Sequence, residues 1–166
     1  MRVTLAALGS GTVGTLTGQV KEALLRAQCI LGAERLLRGL PTECTQNRIA
    51  AVTADGLMQA LQQEHAENCV VVYSGDSGFY SGAKSLIPLL EMAGMEYTVL
   101  PGLSSVQMLA ALLGRPWQDW LLVSAHGTDC DPVAAVTQGR PAFFLTGGTL
   151  GPAELCAKLV LSLIHI

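Results

Sequence analysis

Four turns in the sequence combine glycine with hydroxyl side chains, and each follows a run of apolar residues. They comprise residues 9–14, 74–81, 102–105 and 145–148. Glycine has no Cβ, so the backbone of such a turn can approach a ligand closely. In open α/β sheets, ligands bind beyond the carboxyl ends of the strands. If the apolar runs are strands, we expect these turns to hold a small polar ligand, largely through main-chain groups.

The first turn fits a known dinucleotide-binding pattern. Gly9, Gly11 and Gly14 match G-x-G-x-x-G, which places a pyrophosphate against a helix N-terminus. The pattern also needs an acid about 20 residues further on, at the end of a second strand. Glu34 is the candidate, but the apolar run 29–31 stops before it, and Glu34 fits the start of a helix. NAD(P) binding and a tight turn without a ligand are both hypotheses here, and the position of Glu34 separates them.

The second and third turns carry side chains that could contact a ligand. Asp76 either caps the next helix or accepts hydrogen bonds from a hydroxyl or ammonium group of a ligand. Phe79 and Tyr80 either pack in the protein or flank a planar ligand. Ser104 and Ser105 open a helix, whose N-terminus either is simply capped or receives a carboxylate.

Composition argues against several classes of protein. Half of the 166 residues are hydrophobic, 14% are charged and the formal net charge is −3. No basic block could neutralise a run of phosphates, so we expect no nucleic-acid partner. No stretch approaches the roughly 20 apolar residues of a membrane span, so we expect no membrane partner. The low charge also indicates a subunit interface.

Cysteine and serine chemistry are not expected either. The five cysteines are scattered without a C-x-x-C pair, which is typical of small core residues in a reducing cytoplasm and predicts no metal site. The sequence has no G-x-S-x-G elbow, and only His65 and His126 could serve as a base, so a nucleophilic serine enzyme is not expected.

Strand and helix patterns alternate along the chain, which predicts an α/β fold with a largely parallel sheet. Pro88 is expected to bend its helix or to start a new one. Pro101 and Gly102 mark the predicted boundary between two lobes. The predicted strands are 3–8, 29–31, 70–73, 97–100, 120–123 and 142–145, and the predicted helices are 16–27, 33–40, 53–67, 82–93, 104–113, one from Pro132 and one from Pro152.

Together, and in this order, the turns resemble those of the tetrapyrrole methylase family, S-adenosylmethionine-dependent methyltransferases of cobalamin and sirohaem synthesis. The family's G-x-G-P-G…L-T resembles residues 9–17, its G-D-P resembles 75–77, and its P-G-I/V-S/T-S/A resembles 101–105. The branch that methylates C5 of a precorrin or cobalt-precorrin fits best. Its motifs resemble residues 32–37, 74–81, 101–107, 114–117 and 124–127, and the resemblance covers residues 3–158.

The resemblance implies a class III methyltransferase fold of two α/β lobes, residues 1–100 and 101–160, with S-adenosylmethionine in the cleft between them. The substrate is expected over the first turn, towards His126. The implied cofactor-binding residues are Gly9, Gly11, Thr12, Ser74, Gly75, Asp76, Phe79, Ser104, Ser105, Thr146 and Gly147.

Methyl transfer from a sulfonium needs no metal and no protein nucleophile, because an electron-rich ring carbon attacks the methyl group directly. The enzyme contributes mainly proximity and orientation. This reaction therefore does not require a catalytic side chain. If a side chain moves a proton, Asp76 and His126 are the candidates. A corrin substrate carries several carboxylates, which Arg35, Lys84, Arg115 or His126 could bind.

The resemblance also implies a cytoplasmic homodimer that works with a separate partner protein, which methylates C15 and decarboxylates a side chain. Thr12 and Ser77 stand where the family has proline, so less rigid turns are expected. Residues 161–166 have no counterpart in the family, and we expect a shortened second lobe. A fragment that binds the cofactor without catalysing transfer is therefore the second alternative, beside an NAD(P)-dependent oxidoreductase.

Overall fold

The computed structural model describes residues 1–44, 46–126, 130–147 and 150–163. The chain divides into two compact units, Met1–Ser105 and Val106–Ile166.

The first unit is built on a five-stranded parallel sheet. Its strand order is β3-β2-β4-β1-β5, and every neighbouring pair is parallel. All five strands therefore point their carboxyl ends to one edge, where their following turns lie. The strands are β1 (Arg2–Ala7), β2 (Cys29–Gly32), β3 (Asn47–Ala50), β4 (Asn68–Tyr73) and β5 (Glu96–Leu100).

Helices connect these strands, and threonines cap two of them. The Thr17 hydroxyl accepts a hydrogen bond from Val20 N at 3.3 Å, and the Thr53 hydroxyl accepts one from Gly56 N at 3.1 Å. Each cap satisfies a main-chain donor that the first helical turn leaves free. The helices are a short 3₁₀ helix (Val13–Thr15), α1 (Gly18–Arg26), α2 (Glu34–Arg38), α3 (Ala54–Gln63) and α4 (Ala83–Met92).

Hydrophobic side chains cover both faces of the sheet. On one face, Leu5 and Val71 pack with residues of α3 and α4, among them Leu61 and Leu86. On the other face, the core includes residues of α1 and α2. The central strands β1 and β4 are nearly continuous apolar runs because both of their faces are buried.

The second unit has a smaller parallel pair of strands, β6 (Leu121–His126) and β7 (Ala142–Gly147). Its helices are α5 (Ser105–Leu113), which begins at the last residue of the first unit, α6 (Pro132–Val136) and α7 (Pro152–Leu163). The Asp131 carboxylate caps α6 by accepting hydrogen bonds from the main-chain nitrogens of Val133 and Ala134.

The predicted α/β fold with a parallel sheet is confirmed, and several boundaries differ. Strand β3 was not predicted, and α4 runs through Pro88 instead of starting again there. A proline removes only one main-chain donor, and buried Leu86 and Leu90 hold the helix on both sides of it. Strands β6 and β7 extend further than predicted, so Thr146 and Gly147 lie in a strand and not in a turn. No helix in the described part of the chain is long and apolar enough to cross a membrane.

Candidate active site

The turns after β1 and β4 are joined directly through their backbones. Gly9 N donates to Gly75 O at 3.0 Å, and Gly75 N donates to Gly9 O at 2.8 Å. Both glycines are in the left-handed region, with φ of +62° and +70°, where a side chain is strained. The first two predicted turns therefore form one main-chain assembly at the carboxyl edge of the central strands.

The turn after β5 joins the same assembly through Gly102. A Cβ on Gly102 would collide with Gly75 O and would lie 2.7 Å from Ala7 O. Only glycine permits this approach of the third turn to the ends of β1 and β4.

Asp76 links the second and third turns. Its Oδ1 accepts a hydrogen bond from Gly78 N at 2.8 Å, and its Oδ2 accepts one from Gly102 N at 3.1 Å. Hydrogen bonds to a carboxylate are stronger than those between neutral groups. Since each oxygen already accepts from the main chain, Asp76 acts first as a link between turns that are 26 residues apart in sequence.

Three hydroxyl side chains meet inside the first turn. Thr15 Oγ1 lies 3.0 Å from Ser10 Oγ and 3.4 Å from Thr12 Oγ1, and it donates to Thr12 O at 2.9 Å. A Cβ on Gly9 would lie 2.9 Å from the same Thr15 oxygen. Thr15 therefore organises this turn through its hydroxyl oxygen.

The position of Glu34 decides against the dinucleotide hypothesis. Glu34 is the first residue of α2, and its carboxylate binds Arg38 Nη2 at 2.8 Å on the same helix. A dinucleotide-binding acid would end a strand and face a ribose. The structure therefore does not favour NAD(P) binding.

Among the predicted substrate-binding cations, Arg35 lies at the edge formed by these turns. Its Nη2 donates to Ser74 Oγ at 3.2 Å, next to Gly75. Lys84 is exposed in the first turn of α4, and Arg115 is exposed just beyond the end of α5. Among the residues that the structure describes, neither has a side-chain hydrogen bond or ion pair that would place it beside these turns.

Phe79, Ser104 and Ser105, with Tyr80, are the remaining predicted ligand contacts of the first unit. Phe79 is half-buried and Tyr80 is exposed, and their rings meet edge to face at 4.9 Å. Tyr80 adopts a left-handed φ of +49°. Ser104 is buried and Ser105 is the first residue of α5. Their contact with a ligand stays a prediction.

In the second unit, His126 and Gly147 are brought together. They are partners in the register of β6 and β7. A Cβ on Gly147 would collide with His126 Nδ1 and would lie 2.7 Å from its Cε1. The imidazole therefore occupies the space that a side chain at position 147 would fill. Thr146 is half-buried beside them, and Gly148, also predicted to be in this turn, lies outside the described residues.

One buried polar group near the first site was missed by the sequence analysis. The Tyr73 hydroxyl, at the end of β4, is buried and has no hydrogen-bond partner among the described residues. Burial raises the pKa of this phenol to about 12. A Cβ on Gly82 would lie 3.1 Å from the Tyr73 ring. Tyr73 follows three consecutive valines at the end of β4, and this change from valine to a phenol was the available signal in the sequence.

Comparison with known proteins identifies the family. The model of the tetrapyrrole (corrin/porphyrin) methylases matches residues 2–160. The cobalt-precorrin-7 C(5)-methyltransferase of Salmonella typhimurium is 28% identical over 159 residues, covering 94% of this chain and 77% of that protein. A decarboxylating precorrin-6Y C(5,15)-methyltransferase of Sinorhizobium is also 28% identical, covering 96% of this chain and 39% of that protein.

Solved structures show the same fold. The methyltransferase CobJ is 27% identical with a TM-score of 0.67, covering 82% of this chain and 61% of that chain. The cobalt-precorrin-4 methyltransferase is 17% identical with a TM-score of 0.75, covering 97% of this chain and 74% of that chain. In sequence and in fold, the chain belongs to the family of tetrapyrrole (corrin/porphyrin) methylases.

Proposed function

We propose that this chain transfers a methyl group from S-adenosylmethionine to C5 of a precorrin or cobalt-precorrin in cobalamin biosynthesis. Two curated relatives at 28% identity carry names that specify methylation at C5. The observation that carries the proposal is the main-chain assembly at the carboxyl edge, in which Gly9, Gly75 and Gly102 bring three turns together.

The residues of this edge fit a small zwitterionic cofactor. A Cβ on Gly11 or Gly75 would meet nothing within 4 Å among the described residues, so a ligand can approach the backbone there. We propose that Gly9, Gly11, Thr12, Gly75 and the neighbouring main chain line the cofactor, with Asp76 holding the turns in place. Phe79, Ser104, Ser105, Thr146 and Gly147 are further proposed contacts.

When bound, S-adenosylmethionine supplies an electrophilic methyl group. The chain's own contribution is to orient the ring carbon and to exclude water, because proximity and orientation lower the barrier substantially. Replacing hydrogen with methyl on a ring carbon also releases one proton. Of the two candidates for accepting it, Asp76 already accepts main-chain hydrogen bonds with both oxygens, so we assign this role to His126.

We further propose that the protein pairs with itself and works with a separate C15-methylating partner in the cytoplasm. Apolar side chains on α5 support pairing, since Leu112 is 83% and Leu113 is 54% exposed. The name of the Sinorhizobium relative joins methylation at C5 with methylation at C15, which supports a functional link between the two reactions.

Calorimetry with S-adenosylhomocysteine and with NAD, run in parallel, tests the cofactor. We expect S-adenosylhomocysteine to bind and NAD to give no heat of binding. Heat from NAD alone would contradict the proposal. Binding of S-adenosylhomocysteine without methyl transfer to a corrin precursor would instead support the non-catalytic alternative.

A further inference from the structure

Helix α2 carries two arginines that face different surroundings. The Arg38 guanidinium pairs with the Glu34 carboxylate on the same helix, with Nε at 3.1 Å and Nη2 at 2.8 Å from Oε1. The Arg35 guanidinium leaves the helix and donates to Ser74 Oγ, which is 39 residues away in sequence. Within the described ranges, Arg35 has no acidic partner. No carboxylate in the described part of the chain therefore neutralises its charge.

Arg35 is held at the carboxyl edge of the sheet, where we propose that the cofactor binds. Ser74 directly follows β4 and precedes Gly75, whose backbone pairs with Gly9. Both Arg35 and Ser74 are exposed. A guanidinium has five N–H donors in a planar fork that matches a carboxylate. With Nη2 turned towards Ser74, the remaining donors are available to a ligand at this edge.

We propose that Arg35 is a specificity-determining residue that binds a carboxylate on the periphery of the substrate, and that Ser74 is the positioning residue that holds it there. This assignment rests on the proposed function, because it takes the substrate to be a tetrapyrrole with acid side chains. It also changes the predicted role of Ser74, whose hydroxyl serves Arg35 and not the cofactor.

Calorimetry with two corrins tests the assignment. Cobyrinic acid has free acid side chains, whereas the side chains of cobinamide are amides. We expect Arg35→Gln to weaken binding of cobyrinic acid about 10-fold to 100-fold, as loss of a charge-assisted hydrogen bond does. Binding of cobinamide and of S-adenosylhomocysteine should stay the same. Arg35→Lys should recover part of the loss, because lysine keeps the charge without the planar fork.

Arg38→Gln is the matched control, since it removes an arginine from the same helix that is already paired with Glu34. We expect it to bind all three compounds like the wild type. For Ser74, Ser74→Thr should retain affinity for cobyrinic acid and Ser74→Ala should lose about 3-fold to 5-fold, near the value of one neutral hydrogen bond. The affinity of the wild type for cobyrinic acid should also fall with added salt more steeply than that of Arg35→Gln.

The outcomes separate this assignment from the proposed function. If the wild type transfers methyl groups but Arg35→Gln binds cobyrinic acid equally well, the assignment of Arg35 is wrong and the function stands. If Arg35→Gln loses S-adenosylhomocysteine instead, the carboxylate belongs to the cofactor and the substrate assignment is overturned. If the wild type binds the acid through Arg35 but methylates no corrin precursor, the proposed function fails and the carboxylate site stands.

Discussion

The carboxyl ends of the strands are built in different ways in the two units. In the first unit, main-chain hydrogen bonds between Gly9 and Gly75 join two turns, and the Asp76 carboxylate attaches a third at Gly102. In the second unit, the end of the strand pair is occupied by one imidazole, which lies where Gly147 leaves room. The first edge depends on the backbone, and the second depends on the position of one side chain.

Burial follows the same division. Most residues of β1 and β4 are buried beneath helices on both faces, whereas most residues of β6 and β7 are half-buried. A change at the first edge should therefore disturb a tightly packed fold. A change at the second edge should displace the His126 imidazole, which we propose as the proton acceptor, with little effect on stability. The four predictions below test this difference, from the largest expected effect to the smallest.

Gly102→Ala should destabilise the first unit by about 3 kcal/mol, because the new Cβ has no room beside the backbone oxygens of Gly75 and Ala7. Urea unfolding followed by circular dichroism measures this loss. Gly18→Ala is the control, since a Cβ there meets nothing within 4 Å and its φ is not left-handed. It should be neutral or slightly stabilising. Equal unfolding midpoints for the two variants would contradict the described approach of the third turn.

Gly147→Ala should lower kcat for methyl transfer about 100-fold while changing the free energy of unfolding by less than about 1 kcal/mol. Its Cβ displaces the His126 imidazole, and loss of a general base typically has an effect of this size. His126→Ala should lower kcat by the same factor. The double variant should have the same kcat as either single variant, because both changes remove the same interaction. Additive losses in the double variant would show that Gly147 acts independently of His126.

Asp76→Ala should cost about 2 kcal/mol in unfolding free energy and should weaken binding of S-adenosylhomocysteine. It leaves the main-chain N–H groups of Gly78 and Gly102 without their acceptor. Asp76→Asn keeps one carbonyl oxygen and should fall between the wild type and Asp76→Ala. If Asp76→Ala were as stable as the wild type and only affinity fell, Asp76 would be a ligand contact and not a link.

The smallest expected effect comes from the buried Tyr73 phenol, which should make the fold less stable in alkali. Its folded pKa is raised to about 12 from an ordinary value of 10.0, so between these values the unfolded chain releases the proton and the folded protein retains it. Stability therefore falls as pH rises from about 10 towards 12. Tyr73→Phe should reduce this decline, measured as unfolding midpoints at pH 9, 10 and 11. An unchanged pH dependence in the variant would contradict the burial of the phenol.

Much of the first unit was predictable because its strands and turns are indicated by short, local sequence patterns. The β-branched run before Ser74 is typical of a buried strand, and β4 lies there. Strand β3 was missed because Asn47–Ala50 is an exposed edge strand without a continuous apolar run. The glycine turns that follow β1, β4 and β5 meet at one edge of the sheet, and binding of a ligand there stays a prediction.

The contacts between turns could not be predicted, because they depend on strand order and register. Gly9 meets Gly75, and Asp76 meets Gly102, only because β1 lies between β4 and β5. The pairing of His126 with Gly147 likewise follows from the register of β6 and β7. A sequence pattern shows that such residues can form a turn or a hydrogen bond. The tertiary fold decides which residue each of them contacts.

The most direct test of the proposed function follows the methyl group itself. The protein is incubated with S-adenosylmethionine labelled with ¹³C in the methyl group and with a corrin precursor not yet methylated at C5, and the product is examined by NMR and mass spectrometry. We predict one added ¹³C methyl group per macrocycle, bonded to C5. A label on another ring carbon, or an unlabelled macrocycle under conditions where S-adenosylhomocysteine binds, would contradict it.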